Sequence, residues 1–310
     1  MNAPHPDGLE HQLSGRTVFV RETVRSEQPR RPAVMVHGLG GQSTNWTDFM
    51  AEMRGELDAS ALDLPGFGWS PPPADSDYSV AADVEVVTAL IEKRVHETGE
   101  RVDLFGNSMG GAISVFVAAT RPDLVETLTL ISPALPDLRP RRDTVGVPLV
   151  AIPGLGRQVY ARLRGVPPER QVAGMVALNY GDAAKFTPER RAEAIREVQR
   201  RLALPYAGEA LSGAARSLLM SFVDPSRRGL WAAARRVTCP TLVIYGGRDR
   251  LVDARRAHRV ARHLRHAQIV TLPSVGHVAQ MEDPALVARF VRRLLAARSE
   301  TSESSETSPA

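Results

Sequence analysis

Val102-Asp103-Leu104-Phe105-Gly106-Asn107-Ser108-Met109-Gly110-Gly111 is the stretch on which the reading of this chain turns. Val102 to Phe105 reads as a strand. Gly106 to Gly110 is a G-x-S-x-G pentapeptide, and Gly111 to Ala119 is a run of small and apolar residues that reads as a helix. Strand, sharp turn and helix are the setting in which a serine is held at the tip of a strained turn. A Cβ on either flanking glycine would strike the neighbouring strand or helix. Met109 then presents its backbone N–H at a helix start, aimed where a negative oxygen would form. The pentapeptide alone is weak, since it arises by chance in about one chain in ten of this length. Its meaning depends on whether the chain supplies a base, an acid and a second N–H donor in a workable order.

The 310 residues suit one large α/β domain with an insertion, or two modest domains, and a 43% hydrophobic content is ordinary for a globular core. No apolar run is as long as a membrane span. Met1 to His11 is polar and lacks a basic segment followed by an apolar one, so no signal peptide is expected. The single cysteine, Cys239, excludes an internal disulfide and fits a reducing, cytoplasmic setting. The basic residues are almost all arginine, with only Lys93 and Lys185 as lysines. They are scattered and offset by 35 acids to a net charge of +4, which argues against a phosphate-binding stripe and against a nucleic-acid partner.

Outward from the opening stretch, strands and helices alternate. Arg16 to Glu22 reads as an opening antiparallel strand, and Ala33 to Val36 as a strand buried on both faces, ending in His37-Gly38-Leu39-Gly40-Gly41. Trp46 to Met53 reads as a short helix and Ala59 to Leu64 as a strand. Ser79 caps a helix whose Val80, Val84, Val87, Leu90, Ile91 and Val95 keep helical spacing. Leu128 to Ile131 is a further strand. This rhythm predicts a doubly wound, mostly parallel sheet. It then fails until Thr241 to Tyr245, about 110 residues later, where a simple crossover needs only about a dozen. Residues 134–236, with helical stretches at Pro188 to Leu202 and Gly208 to Phe222, are read as a helical cap inserted into a core of residues 1–133 and 237–297. The rhythm resumes with a helix over Ala254 to Leu264 and a last strand over Ala267 to Leu272. A final helix is capped by Asp283, with Pro284 first. The Ser/Glu/Thr-rich residues 298–310 read as a disordered tail.

Serine needs a general base. Of eight histidines, His37 and His277 lie in loops just past strands. His277, on the Gly-containing loop after the last strand, is the expected base, and His37 is expected to shape its own loop. The acid that fixes the imidazole is assigned to Asp249, after the Thr241 to Tyr245 strand, with Asp253 as the alternative. The second N–H donor is expected to be Leu39. The His37 to Gly41 loop lacks the Lys-Ser/Thr pair and the G-x-G-x-x-G spacing of a nucleotide cradle.

With His37-Gly38-Leu39-Gly40, Asp63-Leu64-Pro65-Gly66-Phe67-Gly68-Trp69-Ser70, Gly106 to Gly111, and Gly246-Gly247-Arg248-Asp249 with Gly276-His277 in order, the chain resembles the α/β-hydrolase superfamily over about residues 15–297. Gly106 to Ala112 and Gly276 to Glu282 resemble the meta-cleavage product hydrolases, which cut C–C bonds. In that group an aromatic typically stands at the place of Val278, and the first loop is longer. Serine at position 108 sets the chain apart from relatives with aspartate at the elbow. The resemblance implies an α/β-hydrolase fold and a serine esterase or lipase-like hydrolase with a Ser108, Asp249, His277 triad. Its oxyanion hole would be formed at Leu39 and Met109, and no metal or organic cofactor would be needed. The expected substrate is a hydrophobic small-molecule ester. The alternatives are C–C hydrolysis or acyl transfer on the same residues. Trp46, Phe186, Met220, Phe222 and Val278 are the candidate lining residues.

Overall fold

In the computed structural model, the described residues are 8–23, 30–136, 151–152, 155–224, 226 and 229–306. Eight strands make one sheet: β1 (Leu9–Leu13), β2 (Arg16–Glu22), β3 (Arg31–Val36), β4 (Leu57–Leu62), β5 (Val102–Asn107), β6 (Val125–Ile131), β7 (Thr241–Gly246) and β8 (Ala267–Leu272). Their spatial order is β1-β2-β4-β3-β5-β6-β7-β8, and only β2 runs against its neighbours. The mostly parallel sheet follows the expected rhythm. β1 is a finding beyond the sequence reading, which took that segment as a polar terminus. Its exposed and half-buried side chains hide the alternation, and pairing from Leu9↔Val20 to Leu13↔Arg16 is what makes it a strand.

The central strands are apolar on both faces because helices cover both. On one face lie α2 (Val80–Thr98) and α3 (Met109–Thr120), whose Val86, Leu90, Ile113 and Val117 join Val34, Leu104 and Leu128. The Ser79 hydroxyl caps α2 by accepting from Ala82 N at 3.1 Å, as its sequence position predicts. On the other face α1 (Thr47–Glu52) packs with Trp46, Phe49, Phe105 and Leu242 in a second core, where each fully buried large side chain contributes about 1.5–3 kcal/mol.

The segment between β6 and β7, read from sequence as an inserted cap, carries helices among its described residues. It contains α4 (Leu155–Leu163), α5 (Pro168–Asn179), α6 (Pro188–Ala203) and α7 (Ala207–Val223). Residues 137–150, 153–154, 225 and 227–228 of the expected cap lie outside the described residues. The helix α8 (Leu230–Ala234), also assigned to the insertion by sequence, packs instead on α3. Its Leu230, Ala233 and Ala234 enter the main core, so small apolar residues draw it down to the sheet. After β7 come α9 (Ala257–Ala261) and, beyond β8, α10 (Ala279–Glu282) and α11 (Pro284–Glu306). Asp283 caps α11 by accepting from Leu286 N at 3.1 Å. The helix continues through Glu306, past residue 298 where composition predicts disorder. Once Val287, Val291 and Leu294 dock on the sheet, each added turn needs no new nucleation. Residues 307–310 lie outside the described residues. Among the described residues no helix is long and apolar enough to cross a membrane.

Candidate active site

The parallel strands all end at one edge of the sheet, and the motif residues follow those ends: His37 after β3, Ser108 after β5, Asp249 after β7 and His277 after β8. Ser108 has φ 53° and ψ −117°, a conformation costing about 1–3 kcal/mol for a residue with a Cβ. Its backbone is anchored on both sides: Ser108 N donates to Ile131 O at 3.1 Å, and Ser108 O accepts from Ala134 N at 2.9 Å. The elbow glycine must be a glycine, since a Cβ on Gly110 would stand 2.3 Å from Val36 O. The side chain of Ser108 is half-buried, and Met109 behind it is fully buried.

His277 and Asp249 come together although 28 residues separate them. His277 Nδ1 lies 2.9 Å from Asp249 Oδ2, with both residues buried. The other oxygen, Asp249 Oδ1, accepts from Leu251 N at 2.7 Å and Val252 N at 2.9 Å. Burial works to raise the Asp249 carboxyl. The His277 charge and hydrogen bond, the Val252 N–H and the Ser132 hydroxyl outweigh it and hold the group below the usual carboxylate range. With the carboxylate on Nδ1, the imidazole is left with Nε2 to exchange a proton. Asp253, the alternative acid, is engaged elsewhere: it accepts from Arg255 N and pairs with the Arg255 guanidinium.

The first loop sits against the elbow. A Cβ on Gly38 would lie 2.9 Å from Ser108 Cβ, so the first loop closes on the elbow only because residue 38 has no side chain. Met109, as the first residue of α3, has no intrahelical acceptor for its N–H. His37 ties this loop to the next one. Its Nδ1 is 2.7 Å from Gly38 O and its Nε2 accepts from Leu64 N at 3.0 Å, which fixes the tautomer with the proton on Nδ1. Burial pushes the His37 imidazole down to about 4, so it is neutral there. Asp63 completes the brace by accepting from Ser43 N at 2.5 Å and Trp69 N at 2.7 Å.

The five lining candidates separate. Phe186 and Val278 share one apolar cluster with Val172, Val176, Tyr180 and Val198, and Val278 is the residue after His277. Phe222 is partly buried against the main core, where Leu39 and Leu211 also pack. Trp46 is placed elsewhere. It is fully buried in the second core, with ring centroids 6.1 Å from Phe49 and 6.4 Å from Phe105, because its short helix turns it beneath the sheet. Met220 is 62% exposed near the outer end of α7. Sequence reasoning also passed over two side chains that hold the site. Asn107 donates from Nδ2 to Ile131 O at 3.0 Å and to His277 O at 3.1 Å. Glu282 accepts backbone N–H groups from Gly181 and Asp182, just after α5, and from Gly276 of the His277 loop. Each lies inside a quoted motif, and an amide or carboxylate within an otherwise apolar, buried run was the available signal.

The chain is similar to known proteins over most of its length. The chain is 30% identical to the dihydrolipoyllysine-residue acetyltransferase component of the acetoin cleaving system of Pseudomonas putida over 81% of its own length, and spans 60% of that protein. It is 27% identical to the 2-hydroxymuconate semialdehyde hydrolase of Pseudomonas sp. (strain CF600), over 96% of this chain and 97% of that one. It is 25% identical to monoacylglycerol lipase abhd6-B of Xenopus laevis, over 90% and 80% of the two chains. The model of the alpha/beta hydrolase family matches residues 33–290, and the chain belongs to that family.

Proposed function

We propose that the protein is a serine hydrolase of carboxylic esters of hydrophobic small molecules, working through an acyl-enzyme. Ser108 Oγ attacks the acyl carbonyl while His277 Nε2 takes its proton, and Asp249 holds and stabilises the imidazolium. The N–H groups of Leu39 and Met109 receive the oxyanion. His277 returns the proton to the leaving alcohol, then activates the water that frees the acid. The observation that carries this reading is the buried His277–Asp249 pair at 2.9 Å, whose His277 carbonyl accepts from the side chain of Asn107, the residue before Ser108. The apolar cluster of Phe186 with Val278, the residue after His277, supports a hydrophobic acyl or alcohol group. A labelled fluorophosphonate is expected to modify Ser108, and Ser108→Ala is expected to lose both the label and p-nitrophenyl ester turnover. Turnover that persists in Ser108→Ala rules the mechanism out.

A second reading, C–C hydrolysis, is favoured by the match over nearly the whole of 2-hydroxymuconate semialdehyde hydrolase and by the Gly276 to Glu282 stretch. It requires turnover of a vinylogous diketo acid with poor turnover of simple esters, the reverse of the ester reading. Product partitioning to an added alcohol would mark acyl transfer.

A further inference from the structure

The peptide that carries His277 is held from the cap as much as from the sheet. His277 N donates to Asn179 O at 2.7 Å, at the end of the cap helix α5. Gly276 N donates to Glu282 Oε2 at 2.7 Å. The same oxygen accepts from Gly181 N at 2.9 Å, and Glu282 Oε1 accepts from Asp182 N at 2.8 Å. One carboxylate, on a residue only 4% exposed, therefore takes three backbone donors, one from the His277 loop and two from the cap. Charge-assisted bonds of this kind are what make a buried carboxylate tolerable. The two backbones also touch. A Cβ on Gly276 would lie 2.3 Å from Asn179 O, and a Cβ on Gly181 would lie 2.7 Å from the Val275 carbonyl carbon. Arg248 Nη1 donates to Gly181 O at 3.2 Å and Lys185 pairs with Asp283 at 2.7 Å, closing the joint at its edges.

We propose that Glu282 is a positioning residue whose carboxylate fastens the His277 loop to the cap segment Gly181–Asp182, so that the base is in place only while the cap is seated. This rests on the triad reading above. Glu282 does not touch the reacting atoms. It acts through the Gly276 peptide, and cap position is thereby transmitted to the imidazole. Gln at this position is not equivalent, because its NH2 would face a backbone N–H where the carboxylate has an acceptor.

The test measures p-nitrophenyl ester kinetics per active site, with sites counted by stoichiometric fluorophosphonate titration. For Glu282→Ala and Glu282→Gln, kcat per titrated site is expected to fall roughly 10- to 100-fold, the scale of a base displaced by about an ångström, with KM within about threefold of wild type. Glu282→Asp is expected to recover part of the loss. Gly181→Ala, which wedges the same joint, is expected to lower kcat similarly, and the double variant to be no worse than the poorer single one. A merely structural carboxylate would give the opposite pattern: fewer titratable sites with unchanged kcat per site, which overturns the proposal. Turnover that survives Ser108→Ala overturns the triad and this inference with it. Turnover lost in Ser108→Ala but undiminished per site in Glu282→Ala overturns the positioning role alone.

Discussion

Asn107 and His277 are 170 residues apart, yet the Asn107 amide donates to the His277 carbonyl oxygen at 3.1 Å while also holding Ile131 O at 3.0 Å. The residue before the candidate nucleophile thus fastens the loop of the candidate base to the ends of β5 and β6. The two sides of the site are one hydrogen-bonded unit rather than two loops that happen to face each other.

Removing that amide takes the side-chain donor from the His277 carbonyl and leaves Ile131 O with Ser108 N as its donor. Asn107→Ala is expected to lower stability by about 1–3 kcal/mol and to lower ester kcat per titrated site. Urea unfolding and site-titrated kinetics measure the two effects. Wild-type values for both would mean that Asn107 fixes nothing.

Asp249→Asn keeps the shape of the acid but removes its charge, and its NH2 opposes the Nδ1 proton. The imidazole is then favoured in the wrong tautomer, and kcat is expected to fall by roughly 10³- to 10⁴-fold with KM little changed. A loss of less than about tenfold would assign the acid to another carboxylate, with Asp253 the first to replace.

His37 is neutral in the folded chain, its imidazole lowered by burial to about 4 from an ordinary 6.5. Its folded value is depressed, so its contribution is complete above pH 6.5. It drains away as pH falls toward 4, because the unfolded chain takes up the proton first. His37→Gln cannot titrate. The stability advantage of wild type over this variant is expected to shrink by on the order of 3 kcal/mol between pH 7 and pH 4. Unfolding curves at several pH values check this, and a pH-independent difference would contradict it.

Asp83, on the buried side of α2, works in the opposite direction. Burial raises its carboxyl to about 8, against the partial opposition of Arg16. A raised folded value means that stability is fullest below about pH 4 and declines as pH rises toward 8, where the unfolded chain releases the proton more readily. Asp83→Asn is expected to match wild type near pH 4 and to exceed it by a few kcal/mol at pH 8. Equal stability of the two at pH 8 would show that the carboxyl is solvated.

Much of this protein was legible in one dimension. The buried runs Ala33 to Val36, Val102 to Phe105 and Thr241 to Tyr245 stand as the parallel strands β3, β5 and β7. The caps Ser79 and Asp283 stand where their side chains begin helices. The chain order of Ser108, Asp249 and His277 could be read because each follows a strand, and parallel strands deliver their ends to one edge. Other features could not be read. Trp46 has the size of a pocket residue, but the turn of its short helix sends it beneath the sheet toward Phe105. Leu9–Leu13 has no strand pattern, and only β2 makes it one.

The Ser108 stretch by itself determined a strained strand-to-helix turn, since glycine spacing and apolar runs are local facts that the backbone must obey. Tertiary structure alone decided what surrounds it. The Asn107–His277 bond and the clasp of Gly181, Asp182 and Gly276 by Glu282 join residues 6 to 170 positions apart. Such partners are set by strand order and by where the helices between β6 and β7 land, and neither leaves a periodic trace in the sequence.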